Sequence, residues 1–157
     1  MFEVFNLPQF EIFVKLFLAV FLGALVGLER EYKGKEAGLR TYALVSLGSA
    51  LFTLIGVESV KILGEFGNSN FDPASRMMSA VVMGIGFIGA GAIIYRQFHV
   101  EGLTTAAGLW VMAAIGIAVG VGLYLTSILA SLLTVLILGA LTKLEKAFPK
   151  KSNFPDT

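Results

Sequence analysis

The longest uncharged stretch of this chain constrains its fold more than any other feature of the sequence. Residues 102–142 contain no Asp, Glu, Lys or Arg over 41 positions, and three shorter uncharged runs cover 16–28, 41–57 and 77–95. An α-helix rises about 1.5 Å per residue, so roughly 20 apolar residues cross the ~30 Å hydrocarbon core of a bilayer. Because the longest run can cross twice, we expect an all-α, polytopic membrane protein.

The composition excludes several other classes of protein. Hydrophobic residues make up 56% of the 157 positions and charged residues 15%, whereas a soluble domain carries about 25% charge. The formal net charge of +1 provides no field for binding nucleic acid. The chain has no Cys and one His, which speaks against an enzyme, a metal site or a cofactor.

Five transmembrane helices are predicted, at about 12–28, 41–60, 73–95, 104–119 and 123–142. Asp72 and Pro73 suit the start of the third, as an N-cap followed by proline at the first helical position. The first apolar segment lacks a basic flank and a cleavage site and is expected to stay as a helix. Residues 1–145 then form one transmembrane domain, and 146–157 a short basic tail. The alternative is a single bent span over 102–142, which leaves four helices.

Basic residues orient these helices by the positive-inside rule. Two basic residues, Lys61 and Arg76, lie on one side of the predicted membrane, with Lys15 inside the first helix near that face. Nine lie on the other side: Arg30, Lys33, Lys35, Arg40, Arg96, Lys143, Lys146, Lys150 and Lys151. We therefore expect the N-terminus outside and the C-terminus in the cytoplasm.

Glycine is concentrated in the third predicted helix. Residues 84–91 fit the G-x-G-x-x-G pattern of dinucleotide-binding proteins, but they lie inside an uncharged run with no acidic residue 20 positions later. Small residues instead let transmembrane backbones approach one another. The predicted packing residues are Gly84, Gly86, Gly89, Gly91, Gly108, Gly116 and Trp110. Trp110 is interpreted as a wedge between helices, with a substrate platform as the alternative.

Three similar phrases fall where helices meet the predicted cytoplasmic face. They are Gly27-Leu28-Glu29-Arg30, Gly38-Leu39-Arg40-Thr41 and Gly102-Leu103-Thr104-Thr105. Glu29 and Arg40 each have the wrong sign for the dipole of their own helix end, so we expect them to form an ion pair. The alternative is a solvated Glu29 and an Arg40 that only anchors the topology. Thr104 and Thr105 are expected to cap the fourth helix. The predicted functional polar cluster is Glu29, Arg30, Arg40, Thr104 and Thr105.

A second polar group lies on the predicted outer face. Asp72 and Arg76 are four residues apart, which is the spacing of an ion pair along a helix. The alternative is an ion or lipid site that includes Glu58 or Glu65. His99 is interpreted as a solvated loop residue.

Taken in order, these phrases resemble the MgtC/SapB family of bacterial membrane proteins. The resemblance is carried by 27–31, 38–41, 84–91 and 102–107 with Trp110, and it covers roughly residues 10–142. Ala80 stands where the family is expected to have Gln. Founding members also continue into a soluble domain, whereas this chain ends at Thr157, so a role of that domain is not carried over.

The resemblance implies an inner-membrane protein linked to growth under magnesium limitation and to survival in hosts. It favours regulation of other membrane machinery over transport. The small-residue helix faces and the absence of buried charge in the sequence favour a role that works through helix contacts. The alternative is an oligomeric transporter or channel for magnesium or protons. The expected partners are the lipid bilayer, another membrane protein and further copies of the chain, with no nucleic acid.

The predicted orientation can be tested by labelling single cysteines, since the chain has no native Cys. An impermeant thiol reagent added to intact cells should label Asn68→Cys and leave Lys150→Cys unlabelled. The reverse pattern would show that the N-terminus is cytoplasmic.

Overall fold

The computed structural model describes residues 9–64, 72–96 and 99–141. It contains five helices, α1 (Gln9–Tyr32), α2 (Leu39–Gly64), α3 (Pro73–Gly91), α4 (Leu103–Val121) and α5 (Tyr124–Leu136), and a π-helical turn, Ile137–Leu141, continues α5. Five spans in the described ranges are long and apolar enough to cross a membrane. Large apolar side chains such as Phe13, Phe17 and Leu125 remain exposed, as expected for surfaces that face lipid. The prediction of an all-α protein with five membrane helices is confirmed. The predicted tail at 146–157 lies outside the described residues.

The third helix is shorter than predicted, because it ends at Gly91 rather than at Tyr95. Two short strands follow it, β1 (Ile94–Arg96) and β2 (His99–Glu101), and they pair antiparallel with Tyr95 opposite Val100. Gly102 then has φ +86°, and a side chain there would overlap the carbonyl oxygen of Ala92. A hairpin therefore connects α3 to α4. Strands of three residues are too short for an alternation of apolar and polar residues to be recognised in the sequence.

Helix α2 lies between α1 and α4, and its contact with α1 is backbone to backbone. The two helices are antiparallel, with Gly23 and Gly27 of α1 facing the first turns of α2. A Cβ atom on Gly23 would lie 2.6 Å from the Tyr42 carbonyl oxygen, and one on Gly27 would lie 2.6 Å from the Leu39 Cα. Both glycines are therefore needed for this helix separation.

Helices α2 and α4 run parallel and also touch through glycines. A Cβ on Gly116 would overlap the Ser46 carbonyl oxygen, and one on Gly120 would lie 2.7 Å from the Thr53 Cβ. The face of α2 that meets α4 repeats at helical spacing and is entirely buried: Tyr42, Ser46, Ser49 and Thr53. Small side chains on α2 and glycines on α4 thus allow this close approach.

Helices α2 and α3 meet at one end and diverge toward the other. A Cβ on Gly56 would lie 3.0 Å from the Ala74 Cα, so the helices touch there. Farther along, a Cβ on Gly48 of α2 or on Gly84 of α3 would meet no atom within 4 Å. The far end of α3 approaches α4 instead, where a Cβ on Gly89 would lie 3.6 Å from the Ala106 Cβ. A cleft consequently opens between α2 and α3.

The glycine-rich segment of α3 does not pack as the sequence suggests. Gly84, Gly86 and Gly91 are exposed, and a Cβ atom on any of them would meet no atom within 4 Å, whereas Gly89 is buried. Trp110 is 53% exposed on α4. Within one copy of the chain these three glycines make no close contact with a neighbouring helix, and Trp110 is not a wedge.

The structure predicts opposite effects for two glycine replacements. Gly116→Ala should lower stability by about 1–3 kcal/mol, the typical cost of overpacking, because its methyl group would overlap α2. Gly86→Ala is the matched control in open space, and it should be neutral or slightly stabilising because alanine favours helix. Thermal unfolding in a mild detergent measures both. Equal melting temperatures would contradict the close α2–α4 contact.

Candidate functional site

Four helices meet at one end of the bundle, where α1, α2 and α4 carry charged or polar side chains. There α1 ends, α2 and α4 begin, and α5 finishes in its π-helical turn. We name this region, residues 28–42, 102–105 and 137–141, the Arg30 end. It contains all five members of the predicted polar cluster.

Arg30 is the most deeply buried charged residue at the Arg30 end, at 2% exposed. Its Nε donates a hydrogen bond of 2.8 Å to Oε2 of Glu29. The other carboxylate oxygen of Glu29, Oε1, lies 2.6 Å from Nζ of Lys33. A buried cation needs an anion within reach, and here one carboxylate serves two cations.

Lys33 also joins α1 to α5. Its Nζ donates hydrogen bonds to the carbonyl oxygens of Leu138 at 2.7 Å and of Gly139 at 3.4 Å. The last carbonyls of a helix lack partners within the helix, and its C-terminal end attracts a cation. Lys33 therefore stabilises the end of α5 while it pairs with Glu29.

The predicted Glu29–Arg40 ion pair does not form. Helix α1 continues to Tyr32, so Glu29 lies within its last turn and reaches Arg30 and Lys33. Arg40 is exposed. The first turn of α2 is capped instead by Glu31, whose Oε2 accepts a 2.8 Å hydrogen bond from the Leu39 N–H.

The two threonines of the cluster have different positions, and neither caps α4. Gly102 is the N-cap residue and provides no side-chain hydrogen bond, because the helix begins at Leu103. Thr105 is 3% exposed, and its carbonyl oxygen accepts a 3.5 Å hydrogen bond from the Tyr42 hydroxyl. Thr104 is exposed. Gly108 leaves the space that the Tyr42 hydroxyl occupies.

Sequence reasoning missed Glu31, Lys33 and Tyr42. The four-residue spacing of Glu29 and Lys33 is a standard sign of an ion pair on a helix, and it could have found Lys33 had α1 been extended past Leu28. The contacts of Glu31 and Tyr42 join residues on different helices, and one sequence carries no signal for them.

Asp72 and Lys15 make local polar contacts at the opposite end of the bundle. Oδ1 of Asp72 accepts a 3.3 Å hydrogen bond from the Ser75 N–H and so caps α3, as the sequence suggests. Lys15 is buried and lies 3.0 Å from Glu11. The pairing of Asp72 with Arg76 stays a prediction.

The described residues contain no group of three or more His, Cys, Asp or Glu side chains that could hold a metal ion. The contacts of Glu29 place one carboxylate between two cations. The contacts that join helices here are those of Lys33 with the Leu138 carbonyl oxygen and of Tyr42 with the Thr105 carbonyl oxygen.

Five apolar helices with their charged contacts at the helix ends define a polytopic membrane protein. The model of the MgtC family matches residues 16–147. The chain belongs to the MgtC family.

Several curated proteins are similar to it. "Putative magnesium transporter YhiD" of Escherichia coli K12 is 43% identical over 82% of this chain and 59% of its own length. "Protein MgtC" of Salmonella typhimurium is 37% identical over 94% of this chain and 58% of its own length. "Protein SrpB" of Synechococcus elongatus is 36% identical over 84% of this chain and 75% of its own length. The chain thus spans about three-fifths of YhiD and MgtC. No solved structure matches it significantly.

The contacts at the Arg30 end predict which cations matter for stability. Lys33→Ala should lower the melting temperature, because it removes the bridge from α1 to α5. Glu29→Gln should be more destabilising and lower the free energy of unfolding by about 3 kcal/mol, because it leaves the buried Arg30 without its anion.

Arg40→Ala is the matched control, since it removes the same charge from an exposed position. It should leave the melting temperature in mild detergent nearly unchanged. The loss of stability in the double variant Glu29→Gln/Lys33→Ala should be smaller than the sum of the two single losses, since both changes remove the same Glu29–Lys33 contact. If Lys33→Ala and Arg40→Ala melt alike, the Lys33 bridge does not stabilise the bundle.

Proposed function

We propose that this chain is a bacterial inner-membrane protein that regulates other membrane machinery under magnesium limitation or host-type stress, and that it acts through helix contacts. The observation that carries the proposal is the closed, uncharged centre of the bundle. Helix α4 has no ionisable side chain along its length, and Gly116 and Gly120 bring it into direct contact with α2.

A closed centre argues against an ion path through one copy of the chain. Transport sites place ionisable residues within the membrane or along a water-filled route. Magnesium also requires oxygen ligands in near-octahedral geometry. The acidic residues inside the described helices, Glu11, Glu29, Glu31 and Glu58, each lie within about two turns of a helix end. The Glu29 carboxylate is moreover occupied by Arg30 and Lys33.

The exposed surface of α3 supports a role based on helix contacts. Within one copy the helix buries Pro73, Ile85 and Gly89, and much of its remaining surface faces outward. Small residues on such a surface allow another transmembrane helix to approach closely. The partner in this proposal is a second membrane protein or another copy of the chain.

An oligomeric transporter is the second candidate, and the similarity to the "Putative magnesium transporter YhiD" favours it. Copies of the chain would then enclose a path between them. An enzymatic role is not part of either proposal, since the chain offers no Cys and a single His.

Flux measurements separate the two candidates. We expect the purified chain in liposomes that contain a fluorescent magnesium indicator, or a pH indicator, to show no flux above protein-free liposomes. The same chain should restore growth of a deletion strain in low magnesium and should purify in mild detergent with a stoichiometric membrane protein.

Saturable magnesium or proton flux would overturn the regulatory proposal in favour of transport. Gly116→Leu, expressed at matched levels, is the negative control for growth, because it disrupts the α2–α4 contact. Growth supported equally by Gly116→Leu would show that the intact bundle is not required.

A further inference from the structure

A cleft lies between α2 and α3, and the polar cluster does not explain it. It has a volume of about 610 Å³. Its walls are mainly apolar, with Leu44 and Phe52 on α2 and Val81 and Ile88 on α3. The hydroxyl of Ser49, which also lines it, donates to the carbonyl oxygen of Val45 at 2.8 Å. An occupant would therefore meet an apolar surface along the length of the cleft.

The length of the cleft distinguishes a lipid chain from a transmembrane helix. On α2 it extends from Thr41 to Phe52, a rise of about 16 Å at ~1.5 Å per residue. This is about half of the ~30 Å hydrocarbon core, the depth of one leaflet. A crossing helix would continue through the other leaflet, but there the contact of Gly56 with Ala74 and Met77 closes the cleft.

A positively charged residue adjoins the open end of the cleft along the chain. Thr41 lines that end, and Arg40 is the neighbouring residue in the first turn of α2. Arg40 is exposed, unlike Arg30 and Lys33, which are held by Glu29. A guanidinium group is permanently charged and matches the geometry of phosphate oxygens. The first turn of a helix also attracts an anion, although Glu31 already occupies the Leu39 N–H.

We infer that the α2–α3 cleft binds an anionic phospholipid, with one acyl chain along the cleft and the phosphate at Arg40 and Thr41. The closed end at Gly56 sets the depth of the acyl chain. The positive charge at the open end selects an anionic headgroup. This site lies apart from the buried contacts of the Arg30 end and does not depend on whether the chain is a regulator or a transporter.

Two pairs of variants test the site. Gly84→Leu fills the cleft, because a side chain there meets open space and Gly84 lines the wall. Gly86→Leu adds the same side chain to α3 in equally open space outside the cleft. Arg40→Gln removes the charge at the open end, and Lys35→Gln removes a charge from the preceding exposed loop.

Native mass spectrometry of the delipidated chain, titrated with dioleoyl phosphatidylglycerol or dioleoyl phosphatidylcholine, measures the binding. The natural chain should bind phosphatidylglycerol more tightly than phosphatidylcholine. Gly84→Leu should lose this binding, and Gly86→Leu should keep it. Arg40→Gln should weaken phosphatidylglycerol binding about fivefold, as for one cation near an anionic lipid surface. Lys35→Gln should have no such effect.

Equal binding of phosphatidylglycerol by Gly84→Leu and Gly86→Leu would overturn the site, as would equal affinity of the natural chain for the two lipids. If Gly84→Leu keeps its lipid but loses a bound second chain, the cleft holds a helix and the proposal is wrong. Melting temperatures establish that the variants are folded. Gly48→Leu, on the opposite wall and also in open space, replaces Gly84→Leu if that variant does not fold.

Discussion

Direct contact between helix backbones holds α2 between α1 and α4, and the rest of the bundle is arranged around these three helices. In a bilayer, lipid tails are as apolar as leucine, so burial of apolar side chains does little to join helices and close packing must do it. Gly23 and Gly27 provide that contact on one side of α2, and Gly116 and Gly120 provide it on the other. Helix α3 meets this unit near its two ends, at Gly56 of α2 and Ala106 of α4, and the cleft follows from that geometry.

The buried hydroxyl groups show how such a core can be polar without carrying ions. Thr53, Ser127 and Thr134 each donate to the carbonyl oxygen four residues earlier in the chain, at 2.7–2.8 Å. These bonds satisfy these three hydroxyl groups within their own helices, whereas the buried hydroxyls of Ser46 and Ser131 have no hydrogen-bond partner among the described residues. Small hydroxyl residues therefore act here as compact spacers, and the charged side chains lie near the helix ends.

The number of helices could be predicted from sequence because a charge in the hydrocarbon core costs roughly 2.5–3.5 kcal/mol on insertion scales. Runs without charge therefore mark the spans. The precise helix ends could not be predicted in the same way. The charge-free run stops at Leu28, yet α1 continues to Tyr32, and Glu29 in its last turn pairs with Lys33 just beyond the helix end. Because of that additional turn, Glu29 pairs with Arg30 and Lys33 and not with the predicted Arg40.

The glycines were predicted less well, for a related reason. The density of glycine in 84–91 suggested packing, but Gly84, Gly86 and Gly91 touch no neighbouring helix, and the close contacts come from isolated glycines such as Gly23 and Gly27. A glycine allows close packing only where the backbone of a neighbouring helix lies directly opposite it. One sequence gives the positions of small residues on each helix and does not say which faces meet.

Two arginines at the Arg30 end show how burial determines what a charge can do. Arg30 is 2% exposed, and its charge is balanced by Glu29, so it stabilises the fold and is not accessible to a ligand. Arg40 is exposed at the start of α2, and Glu31 of α1 binds the neighbouring Leu39 N–H. The same side chain therefore has a structural role at one position and an open positive charge at the other. Because the open charge adjoins an apolar cleft about one leaflet deep, an amphiphile with an anionic headgroup fits both surfaces at once.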